Sequence, residues 1–182
     1  MPVVEPFIKE CIKQLSKQEL EKLVLKAARK DKQFHDYLLV NYADKEYGEK
    51  DLFEQAKSDI ALCATKSYKG FSRELRSAKY LAACNKRITE FSKVSRNKVL
   101  VLDLIMVVLE ESISSSYASL GTCFTAYDYQ ISLLVKKAIT LIEKKLHPDY
   151  RIEYVPRLNE WLTILHSASN HIDSIYAMPN SI

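Results

Sequence analysis

The most apolar stretch of the chain is residues 99–109, which read Val-Leu-Val-Leu-Asp-Leu-Ile-Met-Val-Val-Leu. A helix built from this stretch is apolar on nearly every side, so it has to be buried nearly all round. The stretch is shorter than the roughly 20 residues that a membrane span needs, and Asp103 interrupts it. The pattern therefore predicts a central helix over about residues 97–119, buried in a helical bundle and not in a membrane.

Apolar residues recur with helical spacing along the rest of the chain as well. Pro6 is suited to begin a first short helix. Ser16-Lys17-Gln18-Glu19 is a capping-box sequence that begins a second one, and Asp31 can cap a third. Longer helices are predicted over four further segments: 51–69, 72–94, 125–146 and 156–175.

The tally is about eight helices, with no alternating strand pattern and no repeat. A chain of 182 residues is most simply one domain. The sequence therefore predicts an all-α, single-domain helical bundle over residues 1–182. We expect the short helices of residues 1–47 to form a unit that packs on the long-helix bundle of residues 50–178.

Glycine is scarce, and the three glycines (Gly48, Gly70 and Gly121) all lie more than twenty residues apart. Dinucleotide-binding and phosphate-binding loops need several glycines close together, so these enzyme classes are excluded. We expect Gly70 to end the helix over 51–69 as its C′ residue, and Gly121 to end the central helix.

The four cysteines are widely spaced and form no Cys-x-x-Cys pair, so neither a zinc site nor a thioredoxin-like centre is predicted. The first residues show no basic start followed by an apolar stretch, so no signal peptide is expected. The sequence thus predicts a cytoplasmic protein with free thiols, and no cofactor.

Positive charge is concentrated between Lys66 and Lys98. This segment holds ten basic residues and only two acidic ones, Glu74 and Glu90, although the whole chain has a formal net charge of only +4. Such a segment is either an anion-binding surface, for nucleic acid or another polyanion, or a solvated helix surface, which is the more common case. The candidate anion-binding residues are Arg73, Arg76, Lys79, Lys86, Arg87 and Lys93.

Two carboxylates, Asp103 and Glu110, lie seven residues apart and hence on one face of the central helix, with Ser114 and Tyr117 continuing that stripe. They could ligate a metal or act as an acid and a base. A di-metal site of the ferritin type also needs Glu-x-x-His, which is absent. The alternative that we favour is a polar seam, satisfied by Arg, Lys or Tyr from a neighbouring helix.

Other candidate groups form no recognisable site. His166 and His171 diverge by about 140° on a helix and cannot share a ligand face. The serine-rich run over residues 112–116 lacks the Gly-x-Ser-x-Gly sequence of a nucleophile elbow.

Three stretches, at residues 15–23 (LSKQELEKL), 83–93 (ACNKRITEFSK) and 102–142, follow one another in a familiar order. Together they resemble a family of uncharacterised bacterial all-helical proteins, a domain of unknown function. Leu120-Gly121-Thr122 stands where that family tends to have Tyr-Gly-Asp. The resemblance implies one continuous helical domain of bacterial, cytoplasmic origin, and it carries no established activity.

These observations favour a non-enzymatic helical interaction module whose partner is another protein. One alternative is weak, non-specific binding of nucleic acid or another polyanion through residues 66–98. A second is a metal-dependent or hydrolytic enzyme that uses Asp103 and Glu110.

Overall fold

The computed structural model of the chain describes residues 3–44, 47–116, 119–169 and 173–182, except for the side chains of Ser115 and Ser116. Over these residues the secondary structure is helical and contains no strand, which confirms the all-α prediction. The described α-helices are α1 (Pro6–Gln14), α2 (Lys17–Lys30), α3 (Lys32–Leu38), α4 (Gly48–Thr65), α5 (Arg73–Val94), α6 (Lys98–Ser116), α7 (Ala126–Lys144), α8 (Arg151–Ala168) and α9 (Asp173–Tyr176). A π-helical turn over Leu39–Ala43 follows α3, and a short 3-10 helix over Pro148–Tyr150 precedes α8.

The chain divides into two compact units, residues 1–49 and 50–182. The boundary falls close to the predicted one, whereas the packing of the first unit on the second remains a prediction. In the N-terminal unit, the Ser16 hydroxyl accepts from the Glu19 amide and the Glu19 carboxylate accepts from the Ser16 amide, as the capping-box sequence predicts. Asp31 caps α3 through the amides of Gln33 and Phe34.

The larger unit is a bundle in which α6 packs against α5 and α7. Six apolar residues of α6 are at most 1% exposed: Val101, Leu102, Leu104, Ile105, Val108 and Leu109. The central position predicted for this helix is therefore confirmed. The burial is not complete on every side, however, because Val107 is 44% exposed.

Helix α8 begins earlier than predicted. Its first residue is Arg151 and Pro156 lies inside it, although the sequence pattern predicted Pro156 as the first residue. Proline there removes one backbone hydrogen bond. Burial outweighs that loss, because Tyr154 lies on the same buried face as Leu158 and Trp161. The predicted helix over 156–175 also divides, since α8 ends at Ala168 and α9 begins at Asp173.

The end of α4 also differs from the prediction. The helix ends at Thr65, and Gly70 lies in the following loop without the positive φ of a C′ glycine. The chain leaves the helix earlier because the Tyr68 hydroxyl and the Lys66 amide both donate to the carbonyl oxygen of Cys63, at 3.0 and 3.3 Å.

Gly121 lies in the connection that follows α6, and it is the only described residue with a positive φ (+68°). A Cβ atom at this position would lie 2.0 Å from the carbonyl oxygen of Ala168. The described part of α6 runs to Ser116, and residues 117 and 118, near the predicted end, lie outside the described residues. Glycine is therefore required here both for backbone conformation and for close approach to the end of α8.

Leu104→Ala should lower the free energy of unfolding by about 2–5 kcal/mol, because Leu104 is 1% exposed and its truncation leaves a cavity in the core. Urea denaturation followed by circular dichroism measures the change. Val107→Ala on the same helix is the matched control and should cost less than about 1 kcal/mol. Equal effects of the two substitutions would show that α6 is not the buried centre of the bundle.

Gly121→Ala should destabilise the protein by about 2 kcal/mol or more, since it adds left-handed strain to a collision with backbone atoms. Thermal unfolding of the variant tests this. Gly48→Ala is the control: its Cβ would lie 3.3 Å from the nearest atom, the Cγ of Leu39, and its φ is not in the left-handed region. A loss of stability at Gly48 as large as that at Gly121 would contradict the explanation.

Candidate functional site

The two carboxylates of α6 face helix α8. The Tyr154 hydroxyl donates to Asp103 Oδ1 at 2.6 Å. Arg157 donates to Glu110 through Nε, at 2.7 Å from Oε2, and through Nη2 to Oε1. The Ser114 hydroxyl donates to the same carboxylate at 3.0 Å. These are the kinds of partner that the polar-seam interpretation predicted, and in this respect it is confirmed.

The ion pair between Glu110 and Arg157 lies at the edge of the bundle. Hydrogen bonding to Arg157 lowers the pKa of the Glu110 carboxyl, and the same bonds raise the pKa of the guanidinium. Arg157 also pairs with Glu160, and its guanidinium carbon lies 5.5 Å from the centre of the Trp161 ring. The side chains of the pair are 40% and 50% exposed, so solvent screens their attraction and the pair contributes little to stability.

A metal centre would need several ligating side chains close together. Among the described residues, no group of three or more His, Cys, Asp or Glu side chains is placed to hold a metal ion. His166 Nε2 lies 3.3 Å from the carbonyl oxygen of Pro179. Tyr117 and His171, which the sequence also singled out, lie outside the described residues.

Two of the predicted anion-binding residues hold the loop that precedes their own helix. Arg76 Nη1 donates to the carbonyl oxygen of Gly70 at 3.0 Å, and Lys79 Nζ donates to that of Lys69 at 2.5 Å. Helix α5 itself begins at the predicted cap, where the Ser72 hydroxyl accepts from the Leu75 amide.

A third predicted residue, Arg87, pairs across the bundle with α4. Its Nε lies 2.7 Å from Asp59 Oδ2 and its Nη1 lies 3.8 Å from Glu90, and the side chain is only 14% exposed. The remaining members of the set, Arg73, Lys86 and Lys93, are exposed. Half of the predicted set therefore contacts the protein's own chain, and binding of an anion by the set remains a prediction.

A polar cleft with a volume of about 370 Å³ opens between the end of α4, the loop after it, the first turns of α5 and the last turns of α6. It brings Arg76 together with groups that the sequence did not connect to it. We call it the α4–α5–α6 cleft, and its lining residues are Ala64, Lys66, Ser67, Tyr68, Arg76, Ser77, Tyr80, Glu111 and Ser112.

Two tyrosine side chains, Tyr68 and Tyr80, line the wall of this cleft. The Tyr80 hydroxyl donates to Glu111 Oε2 at 3.1 Å, and the rings of Tyr68 and Tyr80 meet edge to face with centroids 6.4 Å apart. Partial burial raises the pKa of Tyr68 to about 12 and also raises that of Tyr80. At the base of the cleft, Ser112 is 3% exposed. Within the described part of the chain, its hydroxyl group has no hydrogen-bond partner.

The three α-helices of the N-terminal unit have exposed or half-buried apolar side chains. Helices α1, α2 and α3 contain no buried residue, although α1 and α2 are strongly amphipathic. We call five exposed residues of the two apolar faces the N-terminal apolar residues: Phe7, Ile8, Ile12, Leu23 and Val24, with exposures between 39% and 63%.

Asp128 is a buried carboxylate that the sequence analysis did not single out. It is 2% exposed, and its Oδ2 accepts from the Gly121 amide at 3.0 Å and from the Ser169 hydroxyl. It thereby ties the connection between α6 and α7 to the end of α8. An acidic residue in the first turn of a helix was the available signal, but its partners are 7 and 41 residues away in the chain.

Comparison of the chain with protein-family models, with curated proteins and with solved structures found no match. The resemblance to a bacterial helical family therefore stays a prediction. None of the helices in the described part of the chain combines the length and apolar character needed to span a bilayer.

The buried hydroxyl and thiol groups behind the cleft predict a loss of stability at alkaline pH. Burial raises the pKa of Cys84 from 9.0 to about 12 and that of Tyr68 from 10.0 to about 12. The folded state thus holds these protons more tightly than the unfolded state. Their contribution is fully present below pH 9 and is lost as the pH rises toward 12. Urea unfolding at pH 8, 10 and 11 should show a falling free energy of unfolding.

Tyr68→Phe should make this decline above pH 10 shallower, because one of the groups responsible is removed. Tyr42→Phe is the control, since Tyr42 is 68% exposed and lies outside the bundle unit. An unchanged slope in the Tyr68 variant would show that this hydroxyl does not contribute.

Proposed function

We propose that the protein is a non-enzymatic helical interaction module that binds another protein through the N-terminal apolar residues. The observation that carries the proposal is that α1, α2 and α3 contain no buried residue while their apolar side chains are exposed. Helices of 9, 14 and 7 residues are marginal in water without tertiary packing. The apolar residues of α1 and α2 nevertheless lie on one side of each helix, as they do in helices that bury that side.

A partner surface would supply that burial. Fully burying a Leu, Ile, Val or Phe side chain contributes about 1.5–3 kcal/mol, so a few of these residues are sufficient for specific binding. Amphipathic helices commonly bind by laying their apolar face into a hydrophobic groove. The spacing of Phe7, Ile8 and Ile12 on α1 suits this mode.

Nucleic acid is the second candidate, through the exposed residues Arg73, Lys86 and Lys93. A protein partner is better supported because Arg76, Lys79 and Arg87 already bind groups of their own chain. We further propose a cytoplasmic location. The four described cysteines are free thiols, and two of them, Cys63 and Cys84, are buried in the bundle unit.

Site-specific photo-cross-linking in the cells that produce the protein tests the proposal. A benzophenone amino acid in place of Phe7 should cross-link to one protein partner. Ile12→Asp in the same chain should lower the yield at least about tenfold, since 1.4 kcal/mol of lost binding energy corresponds to that factor.

The same photo-reactive residue in place of Lys13, which lies on the polar side of α1 and is 70% exposed, is the matched control and should give no such product. Cross-linking from both positions alike, or only within the chain itself, would contradict the proposal. Retention of labelled DNA at low salt by the wild type, lost in Lys86→Glu, would favour the second candidate.

A further inference from the structure

The α4–α5–α6 cleft has the composition of a binding site for a small, charged and hydroxylated molecule. Its volume of about 370 Å³ lies within the range of ligand pockets. We propose that it binds a phosphorylated polyol, such as a sugar phosphate. The inference concerns a different surface from the N-terminal apolar residues and does not depend on the proposed function.

The phosphate group would bind to Lys66 and Arg76. Arg76 uses Nη1 for the carbonyl oxygen of Gly70, which holds the guanidinium in place while Nε and Nη2 can still donate. Lys66 adds a second, exposed cation from the loop on the other side of the cleft. A phosphate monoester carries a charge of about −1.5 to −2 at pH 7, so two cations match it.

The hydroxyl groups of the ligand would bind to the polar wall. Ser67 and Ser77 supply hydroxyl groups that can each donate and accept, and Glu111 supplies a carboxylate that can only accept. The Tyr80 hydroxyl already donates to Glu111 and can accept from a ligand. The negative charge of Glu111 favours a neutral, hydroxylated group at this end and disfavours a second phosphate. The lining thus matches a molecule with one anionic end and one polyol end.

Ser112 lines the cleft but contributes no hydroxyl group to a ligand. Its hydroxyl group is buried, closed to solvent and without a hydrogen-bond partner within the described residues. The polar contacts of the ligand therefore come from the other lining residues.

Isothermal titration calorimetry of the full chain with glycerol 3-phosphate, ribose 5-phosphate and glucose 6-phosphate tests the proposal. We expect at least one of them to bind with a Kd below about 1 mM. Glucose and inorganic phosphate should each bind at least about tenfold more weakly than the best sugar phosphate, because each offers only half of the contacts.

Two variants separate ligand binding from folding. Lys66→Ala removes an exposed side chain and should weaken binding at least about tenfold without changing the melting temperature. Ser112→Ala removes a hydroxyl group that is closed to solvent, so binding should be unchanged while the free protein becomes equally or more stable, because an unpaired buried group is removed. Lys93→Ala, an exposed cation of α5 outside the cleft, is the control and should bind like the wild type.

The proposal is wrong if none of the three phosphate esters binds in this range, or if Lys93→Ala weakens binding as much as Lys66→Ala does. Equal affinity for inorganic phosphate and for the best ester would also overturn it, since the hydroxyl groups of the cleft would then make no contribution.

Discussion

The structure depends first on the exclusion of water from α6. Six apolar residues of this helix are at most 1% exposed, and α5 and α7 supply the apolar surfaces that cover it. The two carboxylates of α6 interrupt its apolar surface and set where α8 lies, because Asp103 is bound by Tyr154 and Glu110 by Arg157. Asp103 precedes Glu110 on α6, and their partners follow the same order on α8. The two helices therefore run parallel. Apolar burial thus holds the bundle together, and the two polar contacts fix the register of α8.

The connections around the bundle are held by side chains that satisfy backbone groups. Asp128 accepts the Gly121 amide and the Ser169 hydroxyl, which joins two ends of the bundle through one buried carboxylate. Arg76 and Lys79 bind carbonyl oxygens of the loop before α5. The positively charged segment over residues 66–98 resembles a binding surface in the sequence. Some of its cations instead hold a loop of their own chain in place. The same ordering places Arg76 at the mouth of the α4–α5–α6 cleft.

The two units differ in how far they bury their apolar side chains. The bundle unit buries an apolar core, whereas the three α-helices of the N-terminal unit contain no buried residue and expose the apolar faces of α1 and α2. This contrast separates two kinds of candidate function. The bundle offers a formed, polar cleft that suits a small molecule, while the N-terminal helices suit a macromolecular surface that completes their packing.

The sequence by itself determined the helical class, the identity of the buried helix and several helix caps, because periodicity and capping are local properties. Residues 99–109 have no polar face wide enough to meet water, and Ser16, Asp31 and Ser72 each bond to amides within three residues of themselves.

Only the tertiary structure decided the early start of α8, where the burial of Tyr154 outweighs the presence of Pro156. It also decided the partners of Arg87 and Asp128. Asp59 lies 28 residues from Arg87 in the chain, and no pattern along one helix reveals which distant group will face it. The cleft was unpredictable for the same reason, since its lining comes from three helices and a loop that only packing brings together.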